Sequence, residues 1–439
     1  MRIERLGGQG SAPAVLRTVA DAARRRGLPP PAALIGEWFG SGAVIAPSVD
    51  VTSVDASEVF DVPPGASADA VGGGWFGYLS YPDAGADGCG PRIPEAAGGW
   101  SDCVLRQDDD GQWWYESLSG AKLPGWVSEA LGEPAAPRAS TVTWGTADRE
   151  AHRRGVLCCL EAIAAGEVYQ ACVCTQFVGR IAAGAAPAAT SNTGAAPAAT
   201  SNTGAAIHFF ADAVARTSPA RAAYLAGEWG AVASLSPELF LRRRGDAVAS
   251  SPIKGTLPRH ANPAALRASV KDVAENIMIV DLVRNDLGRV AVTGSVSVPE
   301  LLVVRPAPGV WHLVSTVTAR VDVDVPMAAV LDATFPPASV TGTPKLRARQ
   351  LLRGWEPNRR GIYCGTVGLA SPIAGCELNV AIRTIEFDGR GNAVLGVGGG
   401  ITADSDPDRE WDECLHKAAP FIDIAGSATD PRAYPIPIA

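Results

Sequence analysis

In the first part of the chain, apolar residues fall in short runs broken by Gly and Pro: AALIGEWF from Ala32, GAVIAP from Gly42, GWFGYLSY from Gly74 and QWWYESL from Gln112. Short apolar runs between turn formers read as strands. Residues 1–135 are therefore predicted to be a β-rich amino-terminal part. The stretch LGEPAAPRASTVTWGTAD, from Leu131, has the composition of a linker. Beyond it, REAHRRGVLCCLEAIAAGEVYQACVCTQF predicts a helix followed by a strand, opening a second part over 145–425.

Within that second part the segment GAAPAATSNT occurs twice in tandem from Gly184, and then restarts. It has no charge, no aromatic ring and no residue larger than Asn, so it cannot bury enough surface to offset its ordering entropy. A low-complexity loop is expected over 183–206.

Two later patterns are helical. KDVAENIMIVDLVRNDLGR has an apolar period that ends at Gly288. Glu275 shares a stripe with Met278, Ile279 and Leu282, while Val273, Ile277, Val280 and Leu287 form the opposite one. Both stripes ask for burial, so Glu275 is expected to face an enclosed space, where a carboxylate needs a cation, hydrogen bonds or a proton. A salt bridge to a nearby arginine satisfies that helix alone. In SDPDREWDECLHKAAPF, Asp406 can cap, Pro407 takes the first helical position and Pro420 marks the end. Glu410, Glu413 and Lys417 then share one face. Taken with Glu275, this face could hold Mg2+, an ion that uses one or two protein carboxylates and completes its shell with water and ligand oxygens.

Just upstream, VLGVGGGITADSD is a strand running into Gly398, Gly399 and Gly400. Bare amides there allow an anionic group to approach closely, although a tight turn would need the same residues. The pattern is neither a dinucleotide fingerprint nor a P-loop. Arg383, in NVAIRTIEF, reads as mid-strand among apolar neighbours, suited to a bidentate carboxylate contact or to a structural ion pair.

Composition narrows the field. The 439 residues, 47% of them hydrophobic, suit a compact body with a large core. A net charge of −8 argues against nucleic acid or an anionic membrane as a partner. The start MRIERLGGQG lacks the apolar stretch of a signal peptide, and no segment approaches a membrane span, so a cytoplasmic protein is expected. Nine cysteines are scattered without zinc or redox spacing; they are expected to be reduced and structural.

The blocks SLSPELFL (from Ser234), SPIKGT (from Ser251), AENIMIVDLVRNDLGR, HLVSTV (from His312), TGTPKLRA (from Thr341), RGIYCGTVG (from Arg360), AIRT (from Ala381), GGGI and EWDECLHK stand in one order. In that order the chain resembles the chorismate-utilising enzymes, and GGGWFGYLSYP (from Gly72) carries the likeness into the first part. The resemblance implies an α/β fold of the α+β type, with large antiparallel sheets stacked face to face and helices outside. It implies Mg2+ held by Glu275 and Glu413 with Glu410 close by, and a ring carboxylate of chorismate held by the amides of Gly398, Gly399 and Gly400 and by Lys417. Tyr363 and Arg383 would take the enolpyruvyl carboxylate, Gly255 and Thr256 would line the ring, Glu238 would be the general acid at the C4 hydroxyl, and His312 would lie near the ring.

Within the family, PIKGT accompanies nitrogen transfer to C4, whereas members that add ammonia or water directly at C2 resemble PIAGT. Transfer to C4 with retention needs two allylic displacements, so Lys254 would add first at C2 and ammonia would then attack C4. An exposed lysine is neutral in only about one molecule in 2,500 at pH 7, a handicap of about 4.6 kcal/mol; burial is expected to lower its pKa and lift most of that. The resemblance also implies a separate glutamine amidotransferase subunit as the ammonia source, and 4-aminobenzoate and folate as the destination. An anthranilate-forming reaction and a catalytically silent binding subunit are the competing readings.

Overall fold

The computed structural model describes residues 1–67, 69–83, 91–133, 140–183 and 198–425. Two antiparallel sheets organise them. In the twelve-stranded sheet the order is Arg2–Arg5, Trp113–Ser117, Cys103–Gln107, Ser41–Ala46, Ala32–Trp38, Arg221–Gly227, Gly230–Ser236, Thr384–Asp388, Asn392–Ile401, Gln170–Ala183 and Gly342–Thr343, with Ser140–Trp144 also on Gln170–Ala183. In the ten-stranded sheet it is Ile253–Pro258, Val310–Arg320, Ala247–Ser251, Leu239–Arg244, Gly375–Asn379, Thr366–Ser371, Gly74–Leu79, Ala96–Ser101 and Thr52–Ser53, with Ser297–Ala307 beside Val310–Arg320.

Strand periodicity explains the stacking. Along Ala32–Trp38, Ala33 and Ile35 enter a core shared with helices, while Ala32 and Leu34 enter one shared with the other sheet. Successive residues face opposite sides of a strand, so a strand buried on both faces is continuously apolar. The inter-sheet core pairs Leu34, Val44, Leu225 and Val232 with Phe76, Tyr78, Val367 and Leu369. Helices close the outer faces: Ala12–Arg25 and Ala198–Thr217 on the larger sheet, Val270–Gly288 and Met327–Thr334 on the smaller. Both sheets draw strands from each of the two sequence parts, and the parts share their hydrogen-bond ladders. Among the described residues no helix is long and apolar enough to cross a membrane.

Several local readings need correction. The presumed linker contains Ser140–Trp144, a strand paired with Gln170–Ala183. The amino-terminal part includes the helix Ala12–Arg25, whose Val15, Leu16 and Val19 pack on the larger sheet. The expected loop over 183–206 is helical from Ala198, because the buried Ile207, Phe209 and Phe210 anchor Ala198–Thr217 and alanine lets the helix extend backward from them; residues 184–197 lie outside the described residues. In Val270–Gly288 only one stripe is buried, Glu275, Asn276, Ile279, Val280, Val283, Asp286 and Leu287, while Ile277 is exposed. Pro420 lies inside Pro407–Ile422 and does not end it.

Candidate active site

The chain crosses between sheets at two adjacent points, and each presents a charged residue. Ser236 ends a strand of the larger sheet and Leu239 begins one of the smaller, with Glu238 in the step between them. Asn379 ends a strand of the smaller sheet and Thr384 begins one of the larger. Arg383 lies in that second step, in the left-handed region at φ 52°, and so is not mid-strand. The two crossings are tied together: Val380 N donates to Glu238 O at 3.0 Å and Leu235 N to Arg383 O at 2.9 Å. Asn379 Nδ2 donates to Ser234 Oγ at 3.1 Å.

Lys254 reaches the same region from the edge strand Ile253–Pro258. Ile253 pairs with Val314 and Thr256 with His312, so Lys254 and Gly255 together oppose one residue. That is a β-bulge, which re-aims the bulged side chain. Gly255 adopts φ 84°, and a Cβ there would meet Asp272 Cβ at 3.1 Å, so glycine is what this bulge requires after Lys254. Lys254 Nζ then lies 3.8 Å from Glu275 Oε2. A Cβ on Gly400 would come within 3.3 Å of Lys254 Nζ and 3.6 Å of Glu275 Oε2.

The three glycines lie within the strand Asn392–Ile401, paired opposite Cys174, Val173 and Cys172, and do not form a turn. On the other edge, Thr384–Asp388 pairs with that strand only as far as Leu395. The helix Pro407–Ile422 covers the glycines; Asp406 caps it by accepting from Asp408 N and Arg409 N. A Cβ on Gly399 would lie 2.9 Å from Glu410 Oε2 and 3.7 Å from Glu413 Oε1. Because a carboxylate at the tip of a flexible side chain yields easily, Gly399→Ala is expected to leave the thermal midpoint almost unchanged. Displacing Glu410 is nonetheless expected to cut the activity of the site roughly tenfold or more, which paired melting and rate measurements check.

Three ammonium groups face three carboxylates here. Lys254 faces Glu275; Lys271 Nζ lies 3.5 Å from Glu410 Oε1 and 4.0 Å from Glu275 Oε1; Lys417 Nζ lies 2.6 Å from Glu413 Oε1 and donates to Gly398 O at 2.7 Å. Burial pushes the Glu275 carboxyl up, against the pull of Lys254 and Lys271. For Glu413 burial also acts upward, but Lys417 and its neighbours outweigh it and hold the group below its ordinary value.

The expectation for Lys254 is reversed. Burial does act to lower its pKa, yet Cys172, Glu275, Glu238 and Glu413 together raise it above the ordinary value, so in this site Lys254 is an ammonium. Burial raises the Glu238 carboxyl to about 7, against Ser339, Lys254, the Ile253 amide and Arg383. His312, lowered to about 4 by burial and then by Arg383, is neutral at pH 7, and its Nδ1 lies 2.9 Å from Thr256 Oγ1. Tyr363 sits farther along, its ring so close to Gly396 that a Cβ there would fall 2.3 Å from Tyr363 Cγ. Burial raises its phenol well above the ordinary value, and its first charge neighbours are Cys174 and Cys364.

The donor set suits Mg2+. Glu275 Oε1 and Glu410 Oε2 are buried and lack a hydrogen-bond partner, and such groups call for a ligand. Among the described residues no group of three His, Cys, Asp or Glu side chains forms a ready-made metal centre. Mg2+ does not need one, since it retains waters and takes oxygens from its substrate.

The fold thus brings together Lys254, Glu238, Glu275, Glu410, Glu413, Arg383 and His312, with Thr256 beside His312. Sequence reading missed Gln170 and Lys271. Gln170 is fully buried with neither amide atom partnered, and its Oε1 lies 4.0 Å from a Cβ placed on Gly400. Its signal was a polar residue in phase with Cys172 and Cys174 on a buried strand.

A profile of the family described as chorismate binding enzyme matches residues 51–423. The chain belongs to that family. It is 36% identical over 394 residues to an aminodeoxychorismate synthase of Streptomyces griseus, covering 82% of this chain and 51% of that one. Over 195 residues it is 47% identical to aminodeoxychorismate synthase component 1 of Salmonella typhimurium, 43% of each chain. The chain spans about half the length of the curated relatives it matches. Anthranilate synthase component I from Streptococcus pneumoniae has the same fold, with a TM-score of 0.67 at 21% identity over 90% of both chains.

Proposed function

We propose that the chain aminates chorismate at C4 to give 4-amino-4-deoxychorismate, a cytoplasmic step toward 4-aminobenzoate and folate. Ammonia would come from glutamine through a separate amidotransferase subunit. The observation that carries this reading is Lys254, whose ammonium a glycine bulge delivers into a buried carboxylate cluster beside an acid that titrates near neutrality. The names of the Salmonella and Streptomyces relatives support the same reaction.

Glu275, Glu413 and Glu410 would hold Mg2+, which when bound supplies positive charge for a substrate carboxylate. The remaining work falls to the protein. Lys254 must first lose a proton, and Glu238, in the electrostatic field of Lys254 and titrating near 7, can accept it. The freed amine bonds to C2, the ring double bonds shift, and the C4 hydroxyl departs as water with the proton that Glu238 returns. Ammonia then bonds to C4, the double bonds shift back, and the C2–N bond breaks to release Lys254 as an amine. Arg383 is placed to hold the enolpyruvyl carboxylate and the neutral His312 to bound the ring.

Chorismate, Mg2+ and an ammonium salt incubated with the protein should yield 4-amino-4-deoxychorismate, identified by mass and chromatography. A fluorescent 2-aminobenzoate product would instead mean amination at C2. No turnover of chorismate at all would leave only a binding role.

A further inference from the structure

Lys271 stands in the first turn of Val270–Gly288, where the positive end of the helix dipole disfavours a cation. Something else must favour a lysine there. One turn on, Glu275 is 8% exposed, and across the gap Glu410 is 4% exposed; the Lys271 ammonium lies between them, at 4.0 and 3.5 Å. Each of these carboxylates has a buried oxygen without a hydrogen-bond partner.

The three lysines at the cluster differ in their freedom. The side chain of Lys254 is only 13% exposed, and Lys417 is fixed at two points, by Glu413 and by the Gly398 carbonyl. Lys271 is 46% exposed and makes only long contacts with its carboxylates. A lysine so placed can withdraw its ammonium into water while its stem stays on the helix.

We propose that Lys271 is the exchangeable counter-ion of this carboxylate site, neutralising Glu275 and Glu410 until a divalent cation binds and then retreating to solvent. This rests on the metal-assisted reading above. Two close buried carboxylates without a cation are unfavourable, and a permanently seated ammonium would exclude the metal. A retractable one meets both demands, and it weakens metal binding in the absence of substrate because the ion must displace it.

Calorimetric titration of the full chain with Mg2+, without chorismate, tests this. Lys271→Gln is expected to bind Mg2+ about tenfold more tightly than the parent, a difference of about 1.4 kcal/mol, and Lys271→Arg to bind as the parent does. In thermal melts without metal, Lys271→Gln should unfold earlier, and added Mg2+ should raise its midpoint by more than it raises the parent's. Unchanged or weaker Mg2+ binding by Lys271→Gln overturns the proposal. Failure of all three proteins to bind Mg2+, with or without chorismate, overturns the metal-assisted reading and the proposal with it.

Discussion

Lys254→Ala is expected to lower the rate of C4 amination by at least about 10³-fold, the scale at which removing an enzymic nucleophile acts, while leaving the fold intact. The lysine does two things that one substitution cannot separate: it is an amine aimed into the site, and it is a cation 3.8 Å from Glu275. Lys254→Arg separates them, because a guanidinium keeps the charge but does not lose its proton to become a nucleophile. If Lys254 only balances charge, the arginine variant retains most of its activity. If it bonds to C2, the arginine and alanine variants are both inactive. The parent, given chorismate without ammonia, then gains the mass of chorismate less one water, and a peptide containing Lys254 carries it. Normal turnover by either variant would rule out the covalent route.

The altered view of Lys254 also marks where sequence reasoning ran out. Its burial could be read from its apolar neighbours, and burial alone lowers a lysine's pKa. The net direction depends on Cys172, Glu275, Glu238 and Glu413, which reach Lys254 from a strand, a helix, a sheet crossing and a second helix. Their convergence is a property of the tertiary structure. Arg383 failed for a related reason: AIRTIEF is apolar on either side of the arginine, as a strand would be, but the chain changes sheets there, and that step needs a left-handed residue. What was legible was periodic or capped. The Glu275 helix ended at Gly288 as predicted, and Asp406 and Pro407 opened the Glu410 helix. The helix Ala12–Arg25 was missed although its apolar stripe was present, because its alanines dilute the contrast between faces. Lys271 carried no local signal of function, and Gln170 only that of a polar residue in phase on a buried strand; both matter through what other segments place beside them.

Glu238 gives the second large effect, and its consequences for rate and stability run in opposite directions. In the proposed route Glu238 takes the proton of Lys254 before returning it to the C4 hydroxyl, so it must start as the carboxylate. With the group raised to about 7, the rate of the chemical step is expected to fall as pH drops below about 7. Glu238→Gln cannot donate a proton, so it should lose about 10²–10⁴-fold in rate at every pH. Stability follows from the same shift. The unfolded chain releases this proton near 4.5, whereas the folded chain keeps it to about 7. Between those values the unfolded state binds fewer protons, so rising pH favours unfolding, by at most about 3 kcal/mol over the window. Replacing the carboxyl with an amide removes that penalty. Glu238→Gln should therefore melt at a higher temperature than the parent at pH 8, with the gap closing toward pH 4.5. A variant inactive at all pH values but no more stable than the parent at pH 8 would mean that the carboxylate is paid for by Lys254 and Arg383, and that burial does not set its charge. Inactivity with the gain in stability would identify Glu238 as a group held at a cost in folding so that it can carry a proton at neutral pH.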